Sequence, residues 1–214
     1  MGRMSEIVNQ TETVTVAPLK DAPKRQQVGI LGGNFNPVHH AHLIVADQVY
    51  HQLGLDKIYL MPTYEPPHVD HKTTISSELR LEMLQLALAS DHHLEIETLE
   101  INRTGKSYTY ETMKTLTKLN PDVDYYFIIG GDMVEYLPKW YKVEELMGLV
   151  QLVGVRRPNY PITSPYPLIW VDVPLMDISS SLIREKVAKG DSVNYLLPRD
   201  VINYIETKGL YRHD

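Results

Sequence analysis

The chain has 214 residues, of which 43% are hydrophobic and 22% charged, with 27 acidic side chains against 21 Lys and Arg and no cysteine. The formal net charge of −6 argues against a nucleic-acid partner, which would need a basic face, and the lack of cysteine excludes disulfides and thiolate metal sites. No apolar run approaches the ~20 residues that span a bilayer, so we expect a cytoplasmic protein without membrane contact.

The chain begins with a segment that differs from the rest. Residues 1–25 are polar, carry mixed charge and lack the apolar core of a secretory signal. They are predicted to be a mobile N-terminal leader with no catalytic role. Residues 26–214 are predicted to form one folded domain, because their length suits a single α/β core.

Short apolar runs alternate with stretches whose apolar residues have helical spacing. Strands are predicted over residues 27–31, 57–61, 94–101, 125–129, 149–155 and 169–173. Helices are predicted over residues 40–53, 78–89, 108–119, 143–147, 180–189 and 198–208. This alternation predicts an α/β fold, a doubly wound parallel sheet with a small helical C-terminal element.

The turn after the first strand carries the most unusual residues, in the run GGNFNPVHHAH over positions 32–42. Ligands of a doubly wound sheet bind at this end of its strands. The glycines allow close backbone approach to a phosphate, and the next helix begins with unpaired N–H groups. His39 and His42 are three residues apart and share one face, so both imidazoles are candidate donors to phosphate oxygens. The alternatives are structural histidines or a zinc site, although the chain has no H-E-x-x-H motif.

Two further segments are candidates for the same site. The run ISSSLIR, at 178–184, opens a predicted helix with serines and an arginine, which suits a triphosphate, although serine caps are common. The run GGDM lies at 130–133, where Asp132 is predicted to end a buried strand, a position suited to holding a ribose hydroxyl. Trp140 lies in a loop after Pro138 and is either a platform for a flat ring or a packing anchor.

These segments resemble known motifs. The first resembles the (H/T)xGH motif of a nucleotidyltransferase superfamily, and the run at 178–184 resembles its ISSTxxR motif. The motifs between and after them are similar, in the same order, to those of bacterial nicotinate mononucleotide adenylyltransferases. They are P-P-H at 66–68, S-Y-T at 107–109, G-G-D-M at 130–133, L-P-K-W-Y at 137–141, R-P at 157–158 and G-L-Y at 209–211. The resemblance spans about residues 26–212 and implies a Rossmann-like nucleotidyltransferase domain.

The resemblance also implies an activity and a set of site residues. The enzyme would transfer the adenylyl group of ATP to nicotinate mononucleotide, forming deamido-NAD and pyrophosphate in NAD biosynthesis, and Mg²⁺ would enter with ATP. Catalytic roles are implied for His39, His42 and Arg184, which would bind ATP phosphates. The implied ATP-binding residues are Gly32, Gly33, Asn34, Phe35, His39, His42, Gly130, Asp132, Arg157, Ile178, Ser179, Ser180 and Arg184. The implied mononucleotide-binding residues are Asn36, Thr109, Trp140, Tyr141 and Lys72.

Within that second set, the resemblance implies that Trp140 stacks on the pyridine ring, while main-chain N–H groups of Thr109 and Tyr141 receive the nicotinate carboxylate. The chain departs from the family pattern at several positions. Asn36 stands in place of Asp, and Ala41 in place of Gly. A basic residue usual at position 69 is missing, because Val69 stands there, and this leaves Lys72 or His71 as the candidate for the mononucleotide phosphate.

Two alternatives to this function stay open. A sister enzyme would adenylylate nicotinamide mononucleotide or phosphopantetheine, or cytidylylate a phosphoalcohol, and Trp140 with its flanking residues disfavours the last two. A non-enzymatic nucleotide-sensing module is disfavoured by the intact set of His39, His42, Ser180 and Arg184. In the preferred interpretation the partners are the small molecules ATP and nicotinate mononucleotide, and a homo-oligomer is left open.

Overall fold

The computed structural model describes residues 24–64, 74–103, 105–156, 164–174 and 176–212, with the backbone but not the side chain of Asp132. Nearly all of the predicted leader, residues 1–25, lies outside the described residues. Within these ranges no helix is both long enough and apolar enough to cross a membrane.

A parallel sheet with connecting helices makes up the described chain. Its six strands are β1 (Gln26–Gly33), β2 (Lys57–Pro62), β3 (Leu94–Ile96), β4 (Val123–Gly130), β5 (Gln151–Arg156) and β6 (Ile169–Asp172). The α-helices are α1 (His40–Leu53), α2 (Ser77–Leu88), α3 (Leu99–Arg103), α4 (Thr109–Leu119), α5 (Gly131–Val134), α6 (Val143–Met147), α7 (Ser180–Lys189) and α8 (Arg199–Lys208), and a 3₁₀ helix spans Leu137–Lys139. The strand order is β3-β2-β1-β4-β5-β6, with every neighbouring pair parallel. The predicted doubly wound parallel sheet is confirmed, and α7 and α8 form the helical C-terminal element.

The sheet is buried on both faces. Consecutive side chains of its central strands point to opposite sides, so neighbouring residues belong to different hydrophobic cores. Leu31 and Ile128 belong to one hydrophobic core, which contains apolar residues of α1, α2 and α8. Ile30 and Phe127 belong to the other, which contains apolar residues of α4 and α6. This explains why β1 and β4 are near-continuous apolar runs in the sequence.

Several predicted element bounds need correction. The strand predicted over 94–101 is wrong in its second half, because β3 ends at Ile96 and α3 follows. The side chain of Glu97 accepts a hydrogen bond from the Leu99 N–H (2.8 Å), which starts a helix where the apolar pattern suggested more strand. Asp132 does not end the fourth strand: β4 stops at Gly130, and Asp132 lies inside the short helix α5.

The strand order also determines where a ligand can bind. β1 lies between β2 and β4, so the strand order reverses at the β1–β4 pair. The turns that follow β1 and β4 therefore lie side by side at the carboxyl ends of adjacent strands. This is the topological switch point, at which open parallel sheets bind ligands.

Candidate active site

The turn after β1 is shaped by a buried phenylalanine. Phe35 is 1% exposed, and its backbone adopts the left-handed region with φ of 47°. Its ring lies against Gly33, where an added Cβ would come within 3.0 Å of a ring carbon. A side chain at position 33 would therefore press on this buried ring, and the glycine also permits close approach of a phosphate.

Two guanidinium groups hold the same turn from two different helices. Arg80 of α2 donates to the Asn34 carbonyl oxygen (Nη1–O 2.8 Å), and Arg184 of α7 donates to the Asn36 carbonyl oxygen (2.8 Å). Burial lowers the pKa of Arg80, but a guanidinium titrates so far above neutrality that it stays charged. Arg80 was not among the residues predicted from the sequence, although its position three residues before Met83 places it on the apolar face of α2.

A stacked pair of imidazoles lies at the start of α1. His39 is the N-cap residue and 4% exposed, and its ring stacks on that of His42 with centroids 3.6 Å apart. The backbone N–H of His39 donates to Nδ1 of His42 (3.2 Å). Because Nδ1 accepts, the neutral ring of His42 carries its proton on Nε2. In this tautomer the donor of the His42 ring is Nε2–H.

The amino end of α7 packs against this turn as well. Ser180 Oγ donates to the Pro37 carbonyl oxygen (2.8 Å), and Ser179 caps α7 by accepting an N–H from its first turn (3.2 Å). Arg184 also donates to Ser181 Oγ (3.1 Å), which uses a second of its five N–H donors. The N-termini of α1 and α7 thus adjoin one turn, where their partial positive charges favour an anion.

The side chain of Asn36 faces the C-terminal segment. Asn36 is 2% exposed, and its Oδ1 accepts a hydrogen bond from the Tyr211 hydroxyl (2.8 Å). Burial raises the pKa of Tyr211, while the nearby Arg184 and Arg80 lower it in part, so the hydroxyl remains a donor through the neutral range. The assignment of Asn36 to the mononucleotide stays a prediction, and the contact of Asn36 with Tyr211 was not predicted from the sequence.

A second group of candidate residues lies where α4 begins. Thr109 is the first residue of α4, and the ring of Tyr108 before it lies 5.1 Å from the ring of Tyr141. Trp140 is half-buried and packs edge-to-face on Phe127 of β4, with centroids 6.0 Å apart. The structure thus brings together the segments of Thr109, Trp140 and Tyr141, which are distant in sequence.

The remaining candidates are placed only in part. Lys72 and Arg157 lie outside the described residues, as does the side chain of Asp132. Gly130 ends β4 and is the N-cap residue of α5, so it lies at the switch point next to β1. Ile178 lies just before α7 and packs against the core that contains Leu31.

Comparisons with known proteins agree with this architecture. Residues 30–186 match the model of the cytidylyltransferase-like family. The chain is 68% identical over 190 residues to a probable nicotinate-nucleotide adenylyltransferase of Enterococcus faecalis, covering 89% of this chain and 87% of the relative. It is 60% identical over 206 residues to a protein of the same name from Streptococcus pneumoniae, covering 96% and 99%.

A solved structure has a similar fold. The Plasmodium falciparum nicotinic acid mononucleotide adenylyltransferase complexed with NaAD superposes with a TM-score of 0.74 at 21% identity, covering 87% of this chain and 97% of that one. At that identity, the likeness concerns the fold.

Proposed function

Since the chain belongs to the cytidylyltransferase-like family and to its nicotinate-nucleotide adenylyltransferases, we propose that it transfers the adenylyl group of ATP to nicotinate mononucleotide, releasing pyrophosphate. The near-complete coverage of relatives with this name supports the activity for the whole domain. The observation that carries the proposal is the turn after β1, which adjoins two helix N-termini, a donor-bearing His42 and the guanidinium of Arg184.

This arrangement suits a triphosphate. Phosphate oxygens are acceptors that carry negative charge, and they are stabilised by oriented N–H donors and by the positive ends of helix dipoles. We place the β- and γ-phosphates at the start of α7, with Ser179, Ser180 and Arg184. We place the α-phosphate near His39 and His42, at the start of α1.

The reaction needs no enzyme nucleophile. A phosphate oxygen of the mononucleotide attacks the α-phosphorus of ATP in line, the bond to the β-phosphate oxygen breaks, and pyrophosphate leaves. His42 would donate from Nε2 to the charge that grows on the transferred phosphoryl group, and Arg184 to the leaving pyrophosphate. Mg²⁺ would arrive with ATP, held by phosphate oxygens and water, and would neutralise part of this charge.

The nicotinate end would bind beside α4. Trp140 is anchored on Phe127 but only half-buried, which leaves ring surface for stacking on a pyridine ring. Main-chain N–H groups at the start of α4, beginning with Thr109, have no partner within the helix and suit a carboxylate. Tyr141 lies next to this helix start and would supply a second N–H. We further propose a cytoplasmic location, which the lack of cysteine fits.

The test is pyrophosphate release from ATP and Mg²⁺ with nicotinate and nicotinamide mononucleotides side by side. Fast release with nicotinate and slow release with nicotinamide is expected. Equal rates would contradict the carboxylate pocket at Thr109 and Tyr141 while leaving the adenylyl transfer intact. Absence of release with either substrate, from folded protein that binds ATP, would refute the activity in favour of a sister substrate or a nucleotide sensor.

A further inference from the structure

A cluster at the opposite end of α1 has the composition of a metal site. Asp47 and His51 lie one helical turn apart on α1, and His93 immediately precedes β3. One ligand atom from each lies within 4.8 Å of those of the other two. We propose that these three side chains bind a divalent transition-metal ion of the Zn²⁺ class.

The distances match such an ion. The Asp47 carboxylate oxygen Oδ1 lies 3.3 Å from Nε2 of His51 and 3.4 Å from Nε2 of His93. Two ligand bonds of ~2.0 Å at a tetrahedral angle separate the ligand atoms by about 3.3 Å. The ligand nitrogens of the two imidazoles lie within 4.8 Å of each other. A rotation of His51, whose side chain is 63% exposed, would shorten this third edge.

The surroundings of His93 provide an independent indication. Its Nδ1 lies 3.3 Å from Oδ1 of Asp91, and that oxygen also accepts the backbone N–H groups of His93 and Leu94 (both 3.0 Å). The ring of Tyr50 stacks on that of His93 with centroids 4.2 Å apart. A carboxylate at one ring nitrogen turns the lone pair of the other toward the site, which is the arrangement usual for metal-binding histidines.

The chemistry of the donors selects the class of ion. Two imidazoles and one carboxylate suit Zn²⁺ and its late-transition neighbours, whereas Mg²⁺ and Ca²⁺ prefer oxygen ligands. Three protein ligands leave a fourth position for water. His51 lies nine residues beyond His42, about 13 Å along the axis of α1, so the site is separate from the phosphate end. A bound ion would tie the end of α1 to the turn before β3.

The test uses the full chain after treatment with a chelator. Co²⁺ is titrated while the visible absorption of tetrahedral Co²⁺ is followed, and Zn²⁺ affinity is measured by competition with a chromogenic chelator. We expect one ion per chain in the wild type. His51→Ala and His93→Ala should each weaken metal binding by more than about 100-fold. Removing a residue that only hydrogen-bonds to a metal ligand typically costs about 10–100-fold in metal affinity, and removing a ligand itself should cost more.

The matched control is His92→Ala, which removes the exposed imidazole next to His93 and should leave the affinity unchanged. His51→Ala should unfold at the same midpoint as the wild type without metal, since its side chain is mostly exposed. Equal Zn²⁺ affinity in His51→Ala and wild type would overturn the proposal. A wild type that binds neither Co²⁺ nor Zn²⁺ would also overturn it, and would mean that Asp47 only pairs with the histidines. Loss of metal binding in His42→Ala, with binding kept in His51→Ala, would overturn it as well.

Discussion

The hydrogen bond between Tyr211 and Asn36 offers a sharp test of how the C-terminal segment supports the turn after β1. Tyr211→Phe removes the hydroxyl that donates to Asn36 Oδ1 at 2.8 Å. Asn36 is 2% exposed, so water does not readily replace this donor. Losing a donor to a buried carbonyl oxygen costs about 1–3 kcal/mol, and we expect the free energy of unfolding to fall by that amount.

A matched control exists elsewhere in the chain. Tyr195 shares the left-handed backbone of Tyr211, with φ of 65° against 63°, but is 91% exposed. A change to Phe keeps the ring and leaves the backbone conformation unaffected at both positions. Tyr195→Phe should therefore shift stability by less than about 0.5 kcal/mol, the range of surface substitutions.

The assay is urea unfolding of both variants and the wild type, combined with the rate of pyrophosphate release. Turnover of Tyr211→Phe should fall by less than about tenfold, because Arg184 still holds the Asn36 carbonyl. If Tyr211→Phe proves as stable as Tyr195→Phe, the hydrogen bond contributes nothing. A large loss of turnover at unchanged stability would instead mean that Tyr211 acts directly on a substrate.

Three other substitutions test the turn and the core. His42→Ala should lower the turnover number about 100-fold or more, the scale of losing one aligned donor to transition-state charge, and pyrophosphate release near the wild-type rate would refute this. Arg80→Met should lower the free energy of unfolding by about 2–4 kcal/mol in urea, because the carbonyls of Asn34 and Tyr64 lose a charged donor, and an unchanged midpoint would contradict it. Burial raises the pKa of Glu100 above its usual 4.5, so the folded chain holds this proton more tightly than the unfolded chain, and that stabilisation is lost as pH rises through the raised pKa. Glu100→Gln should therefore gain stability relative to the wild type as pH increases from acid to neutral, whereas a pH-independent difference would refute the burial effect.

The sequence predicts the bounds of an element well where those bounds depend only on residues within or next to that element. The bounds of α1, α6 and α7 are as predicted, since apolar spacing and the glycine after α1 and α7 act over a few residues. The strand predicted over 94–101 was wrong in its second half, because a hydrogen bond to the Glu97 side chain starts α3 in a run where apolar and polar residues nearly alternate. A hydrogen bond from a backbone N–H to a nearby side chain competes with the backbone hydrogen bonds of a β-sheet. It leaves little trace in the periodicity of apolar residues.

Short-range periodicity and compact motifs were enough to predict the alternation of strands and helices, the parallel sheet and the candidate phosphate-binding segments. They did not predict which distant groups hold those segments in place. Arg80 and Tyr211 reach the turn after β1 from residues far along the chain, and His93 reaches Asp47 from another element. Such contacts depend on how helices pack across the sheet, and sequence spacing within one element carries no information about that packing.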